Sequence, residues 1–348
     1  MVVFGAGASY DSIDVKLPNT NNPGWVIDEE FRPPLAKDLF GFRGLFTEAM
    51  ALFEKLQPIV PILRHTGGRN VETVLRELQE QAVVYPERLR QLMAVRYYLH
   101  YVLWRCEGEW KKAARQVTNY KALLDQINRW RKPDSPICLV TFNYDTLLED
   151  AMSVVGPRIS RLADYVYGNP AFKVFKLHGS VNWGRKVKGQ LPAGADAWWI
   201  ARNHIDRAAE LEITEEFVQS DEHPCGGWQG AGLVPAIAIP VEKKASFECP
   251  EEHRLELVRL LPRVDRLVLI GWRATEDHFL SLLQQYLKGP ILGQIVVGSE
   301  AEAKAIGDSF NHGPFSGVQI DWEYTPSGFT DFIVNRRAEG ILSRPGTS

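Results

Sequence analysis

The feature that most constrains this chain is a repeated one, a short apolar run that stops abruptly at small or polar residues. Val174-Phe175-Lys176-Leu177 runs into His178-Gly179-Ser180, Cys138-Leu139-Val140-Thr141-Phe142 into Asn143-Tyr144-Asp145, and Val2-Val3-Phe4 into Gly5-Ala6-Gly7-Ala8-Ser9. Runs of this length, bounded in this way, read as strands buried on both faces, and open α/β sheets hold their ligands just past the carboxyl ends of such strands. The pattern returns where Leu267-Val268-Leu269-Ile270 ends at Gly271-Trp272 and Ile295-Val296-Val297 ends at Gly298-Ser299-Glu300, with 234–239 and 318–322 as further candidate strands. Helical patterns lie between them, at 251–261 and in a helix opened by Thr275-Glu276-Asp277. Strands alternating with helices predict an α/β fold, a doubly wound, mostly parallel Rossmann-like sheet.

A long helical block separates the first strand from the second. Val71, Leu75, Leu78 and Ala82 share one face of a helix that Asn70 is placed to cap, and Leu92, Leu99, Leu103 and Cys106 repeat the spacing, as do Leu123, Leu124, Ile127 and Trp130. The expected organisation is a Rossmann-like domain from 1–34 and 132–348, with a helical subdomain over 35–131 inserted into the sheet or packed on it. Residues 185–232, with Trp198-Trp199 and Cys225-Gly226-Gly227-Trp228, read as an irregular insertion that serves as a lid or a packing surface. The first strand starts so abruptly that a few natural residues are expected before Met1, and no second effector or sensor domain is expected within the chain.

Charge and cysteine usage exclude several classes of function. A net charge of −3 and a pI near 6.3 leave no basic footprint for direct nucleic-acid binding. The 4 cysteines stand far apart with no C-x-x-C pair, so neither zinc nor another metal is expected, and a reduced, cytoplasmic chain is. No apolar run approaches the roughly 18 residues of a membrane span.

The strand ends carry the candidate chemistry. Gly5 and Gly7 permit close backbone approach to a phosphate, Ser9 offers a hydroxyl, and Tyr10 stands where a dinucleotide fingerprint has its third glycine, so a phosphate cradle and a plain tight turn are both open readings. Asp28 lies at the distance of a ribose-binding acid, but no second strand precedes it. His178 reads either as a catalytic imidazole or as a structural histidine, and Asn143 either as a ligand-binding amide or as a cap for the helix that follows. Trp183, Trp198 and Trp199 form either a stacking surface or ordinary packing.

Taken in order and at these separations, Gly5-Ala6-Gly7-Ala8-Ser9, Phe142-Asn143-Tyr144-Asp145, Lys176-Leu177-His178-Gly179-Ser180 and Leu269-Ile270-Gly271-Trp272 resemble the sirtuin-like NAD-binding domain. The similarity is greatest to the bacterial branch that serves as NAD-degrading effectors in antiphage defence. The resemblance implies that Asn143 binds the nicotinamide ribose or the attacking water and that His178 acts as general base. It further implies that Ser9 with the amides of Gly5, Ala6, Gly7, Ala8 and Ser9 binds the pyrophosphate and that Asp145 orients Asn143 or its loop on the cofactor side, while the small strand ends at Gly271-Trp272 and Gly298-Ser299 suit the adenosine half of the dinucleotide. Deacylase sirtuins carry a four-cysteine zinc module that has no counterpart here, and their Gln-Asn-Ile-Asp motif has lost its glutamine to Phe142. The implied activity is therefore an NAD+ glycohydrolase that releases nicotinamide and ADP-ribose, with NAD as substrate, acting in abortive infection. Alternatives are an NAD-dependent protein deacylase or ADP-ribosyltransferase, and a non-catalytic sensor of NAD or ADP-ribose. The implied control is self-assembly into a homo-oligomer or a regulatory partner, an ATPase or an Argonaute-like protein.

Overall fold

The structure is a computed structural model that describes residues 1–12, 29–114, 117–131, 135–189, 195–220, 232–240, 247–312, 315 and 317–343. Its strands are β1 (Val2–Phe4), β2 (Ile137–Thr141), β3 (Phe172–Lys176), β4 (Gly179–Val187), β5 (Ile213–Gln219), β6 (Leu233–Ile237), β7 (Arg266–Ile270), β8 (Ile291–Val296) and β9 (Ile320–Thr325). Among the described residues, six of them form one parallel sheet in the order β3-β2-β1-β7-β8-β9. The chain builds outward from β1 to β3, then returns to the other side of β1 with β7. That reversal is the topological switch point of a Rossmann-like fold, and it opens a crevice between the carboxyl ends of β1 and β7.

The apolar runs explain the central strands. Val2, Val3 and Phe4 are buried, and in register Val3 lies between Val140 and Leu269. Flanking helices close the core: Leu123, Leu124 and Ile127 of the helix Asn119–Trp130 are buried with Leu139, Val174 and Leu269 of the sheet. That helix therefore packs with the sheet, although the sequence pattern groups it with the helical block. The rest of the block, including most of the long helix Pro86–Ala113, has its own core of Phe46, Leu56, Leu75, Tyr98 and Leu99. Among the described residues no helix is long and apolar enough to cross a membrane.

That second core is shared with a feature the sequence does not announce. Strands β5-β4-β6 form a three-stranded antiparallel sheet, and Val181, Val234 and Ile237 from it join the helical core. The described residues of the insertion expected at 185–232 include regular elements: β4 runs to Val187, a helix spans Ala197–Asp206 with Asp196 accepting from the Trp199 N–H at 2.9 Å, and β5 follows. Within that stretch, 190–194 and 221–231, with Cys225, lie outside the described residues, as does Asp28. The pattern misled because β5 is half-exposed on both faces and is tied to β4 by ion pairs such as Arg185–Glu215 at 2.7 Å, so it shows no apolar alternation. The 234–239 run is β6 of this small sheet. Of the three tryptophans two pack, Trp183 buried edge-on to Tyr165 and Trp198 against Phe53 and Tyr101, whereas Trp199 is exposed.

Two buried histidines make the fold acid-sensitive. His204 meets the Tyr97 hydroxyl at 2.7 Å and His253 meets the Leu162 carbonyl at 3.0 Å, and burial pushes both imidazoles down to about 4. A depressed histidine contributes stability that is present above the unfolded value near 6.5 and lost as the pH falls toward about 4. The melting temperature is accordingly expected to fall through that window, each imidazole costing up to about 1.4 kcal/mol per pH unit. The variant His253→Gln, whatever it costs at neutral pH, should flatten the decline; an unchanged slope would contradict this account.

Candidate functional site

A cavity of about 600 Å³ opens at the switch point, within the range of roughly 300–1,000 Å³ typical of small-molecule sites. Residues past the ends of β1, β2, β3, β7 and β8 all contribute to its wall. Gly5, Ala6, Gly7 and Ser9 line it from the first loop, Asn143 and Asp145 from the second, and His178 from the third. Gly271, Trp272 and Gly298 complete that set. Ala8 and Ser299 do not reach it. Ala8 is fully buried beneath the loop, and the Ser299 hydroxyl accepts from the Glu302 N–H at 3.3 Å at the start of the helix Glu300–His312. A smaller cavity, of about 130 Å³, lies at the opposite edge between Met1, Ile137 and Arg266 and gathers none of these residues.

The first loop is held by its own backbone. The Gly5 N–H donates to the Ile270 carbonyl at 3.0 Å, Gly7 N–H to Gly271 carbonyl at 3.1 Å, and Ala8 N–H to Gly5 carbonyl at 2.9 Å. These three amides, offered by the sequence to a phosphate, are committed inside the protein. Close packing also accounts for the glycines. A Cβ at Gly5 would stand 2.5 Å from the Gly271 oxygen, and one at Gly271, where φ is +58°, would stand 2.3 Å from the Ala8 nitrogen. Gly298 differs, because a Cβ there would meet nothing within 4 Å.

Asn143 does not cap the helix Leu147–Ala151; the Asp145 carboxylate instead accepts from the Leu147 N–H at 3.2 Å. The Asn143 Nδ2 donates to the Gly5 carbonyl at 2.9 Å and lies 2.9 Å from Ser9 Oγ and 3.1 Å from the Tyr120 hydroxyl, and those two hydroxyls are 2.9 Å apart. Ser9 thus faces Asn143 and Tyr120. Burial pushes the Asp145 carboxyl up, opposed chiefly by the Lys176 ammonium. Beneath it, Lys176 pairs with Glu149 at 2.9 Å in full burial, and Glu149 also accepts from the Tyr165 hydroxyl at 2.9 Å.

His178 sits on the seam between the two sheets. Its carbonyl accepts from the Ala238 N–H at 2.9 Å, and Gly179, at φ +82°, turns the chain from β3 into β4 where a Cβ would overlap the Ala236 oxygen. The imidazole is nearly buried among rings, 4.8 Å from Phe142, 6.3 Å from Tyr144 and 6.0 Å from His278 between centroids. Trp272 serves packing: its indole stacks on Phe142 at 5.4 Å and its Nε1 donates to Glu276. The charged residues lining the cavity are Asp11, Glu72, Glu107, Asp145, Glu276 and Glu302 against Arg273, so the described wall is carboxylate-rich.

Sequence reasoning missed Tyr120 and His278. Tyr120 did leave a signal, a polar aromatic at the position i of a core face completed by Leu123, Leu124 and Ile127. His278 opens the helix Asp277–Tyr286 at the sheet's carboxyl edge, and only the folded chain brings it beside His178. No family model matches this chain, and no curated protein matches it.

The geometry separates packing glycines from an open one. Gly271→Ala should cost more than about 2 kcal/mol in chemical denaturation, from left-handed strain plus overlap, whereas Gly298→Ala should stay within about 0.5 kcal/mol. Equal stabilities for the two variants would contradict this assignment.

Proposed function

We propose that this protein is an NAD+ glycohydrolase. The observation that carries the reading is that Asn143 and His178, borne by different strand ends, line one cavity of about 600 Å³ at the switch point of a Rossmann-like sheet. In this reaction water attacks the anomeric carbon of the nicotinamide ribose and the bond to nitrogen breaks. The pair of electrons leaves with the ring, which becomes neutral nicotinamide, and the water proton passes to His178. Asn143 holds the ribose or the water, and its fixed amide spares reorganisation when the bond breaks. A positioned base contributes about 10²- to 10⁴-fold.

The committed amides of Gly5, Gly7 and Ala8 restrict how the first loop holds the pyrophosphate, and place more of that task on its remaining polar groups and on the open strand end at Gly298. Unchecked NAD loss would harm the host cell, so the reading extends to an effector of antiphage defence in the cytoplasm, whose basal activity is raised by self-assembly or by a regulatory partner, an ATPase or an Argonaute-like protein.

Incubation of the purified protein with NAD+, followed by chromatography, is expected to show nicotinamide and ADP-ribose. His178→Ala and Asn143→Ala should each lower kcat/KM by at least about 100-fold while still unfolding cooperatively, at a melting temperature below that of the wild type because each empties a buried, packed position. Full activity in either variant would remove that residue from the mechanism, and tight NAD+ binding without product would favour the sensor reading.

A further inference from the structure

We infer that Tyr120 is a positioning residue that fixes which atom of the Asn143 amide meets the substrate, an inference that rests on the hydrolase reading of this site. A terminal amide can turn over, exchanging oxygen for nitrogen at little steric cost, and only its hydrogen-bond partners decide which is presented. At Asn143 the decision begins with Gly5, whose carbonyl only accepts, so the atom 2.9 Å from it is Nδ2. One N–H remains, and it falls between Ser9 Oγ at 2.9 Å and the Tyr120 hydroxyl at 3.1 Å. The hydroxyls are bonded to each other at 2.9 Å, so a single bridge from Tyr120 to Ser9 accepts the second N–H. With both protons taken inside the protein, Oδ1 is the amide atom turned away from this cluster. An oxygen there accepts from a ribose hydroxyl or an attacking water, whereas an inverted amide would offer either of them a donor.

Tyr120 suits this task because its hydroxyl cannot wander. The side chain is 1% exposed, and its ring lies 5.1 Å from Phe4 of β1 and 5.6 Å from Phe329. Phe4 directly precedes the glycine loop, so the ring and the Gly5 carbonyl are set by the same strand. Burial also pushes the phenol well above its ordinary value, which keeps the hydroxyl neutral. The residue comes from the helix preceding β2, so the packing of that helix is transmitted to the reacting amide.

Tyr120→Phe removes one oxygen and keeps the ring. The expected result is a fall in kcat of about tenfold, the loss of one positioned hydrogen bond, with KM within about twofold of wild type. A purely structural role would not select kcat over KM. The second readout needs no turnover: hydrogen exchange of the Asn143 side-chain amide by NMR, assigned by its disappearance in Asn143→Asp, should accelerate at least about tenfold in Tyr120→Phe. Should that variant fail to fold, Ser9→Ala breaks the bridge from its other side and is expected to move both readouts in the same direction. An Asn143 amide that exchanges at the wild-type rate without the bridge overturns the proposal. If the wild type releases no nicotinamide, the hydrolase reading fails, and the exchange comparison still decides whether Tyr120 holds the amide.

Discussion

The structure depends on a contact between two pieces of backbone. Where β1 ends, Gly5 and Gly7 lie so close to Gly271, at the end of β7, that no side chain fits between them, and two of the hydrogen bonds across the gap run from the first loop to Ile270 and Gly271. These strands flank the switch point, so the seam sets the floor of the crevice. It also fixes the Gly5 carbonyl, which holds the Asn143 amide, so the loop acts on the site through the acceptor it supplies as well as through any amide it offers.

A second junction places the histidine. At Gly179 the chain leaves the parallel sheet and enters the antiparallel one, and the overlap that any Cβ would make with the Ala236 oxygen admits only glycine. His178 stands at that corner, packed between the ring of Phe142 from the main sheet and the imidazole of His278. The small sheet shares its core with the helical block, so the block buttresses the histidine's side of the cavity while the helix carrying Tyr120 buttresses the amide's side.

Much of this was legible because parallel strands buried on both faces read as uninterrupted apolar runs, and their carboxyl ends showed as sudden glycine, asparagine or histidine. The fold class and the placing of Asn143, His178 and Gly271 at one edge follow from that signal. The small sheet was not legible, since β5 carries Glu215 and Glu216 in its middle and owes its pairing to β4, from which a helix separates it in the chain. Neither was the inward commitment of Ser9, or the packing role of the Trp272 indole, because both depend on residues more than 100 positions away: Ser9 on Tyr120 and Asn143, Trp272 on Phe142. Glycine itself was ambiguous: Gly5, Gly7 and Gly271 are demanded by packing, and Gly298, with open space before it, is not.

In the proposed function, the crevice between β1 and β7 holds NAD+ with its reactive bond between Asn143 and His178. The most direct test is a crystal structure of the His178→Ala protein with NAD+ bound. Density is expected through the cavity, with the nicotinamide ribose against Asn143 Oδ1 and the adenosine half toward Gly298. Density anywhere else, or a ribose that does not touch Asn143, would contradict it.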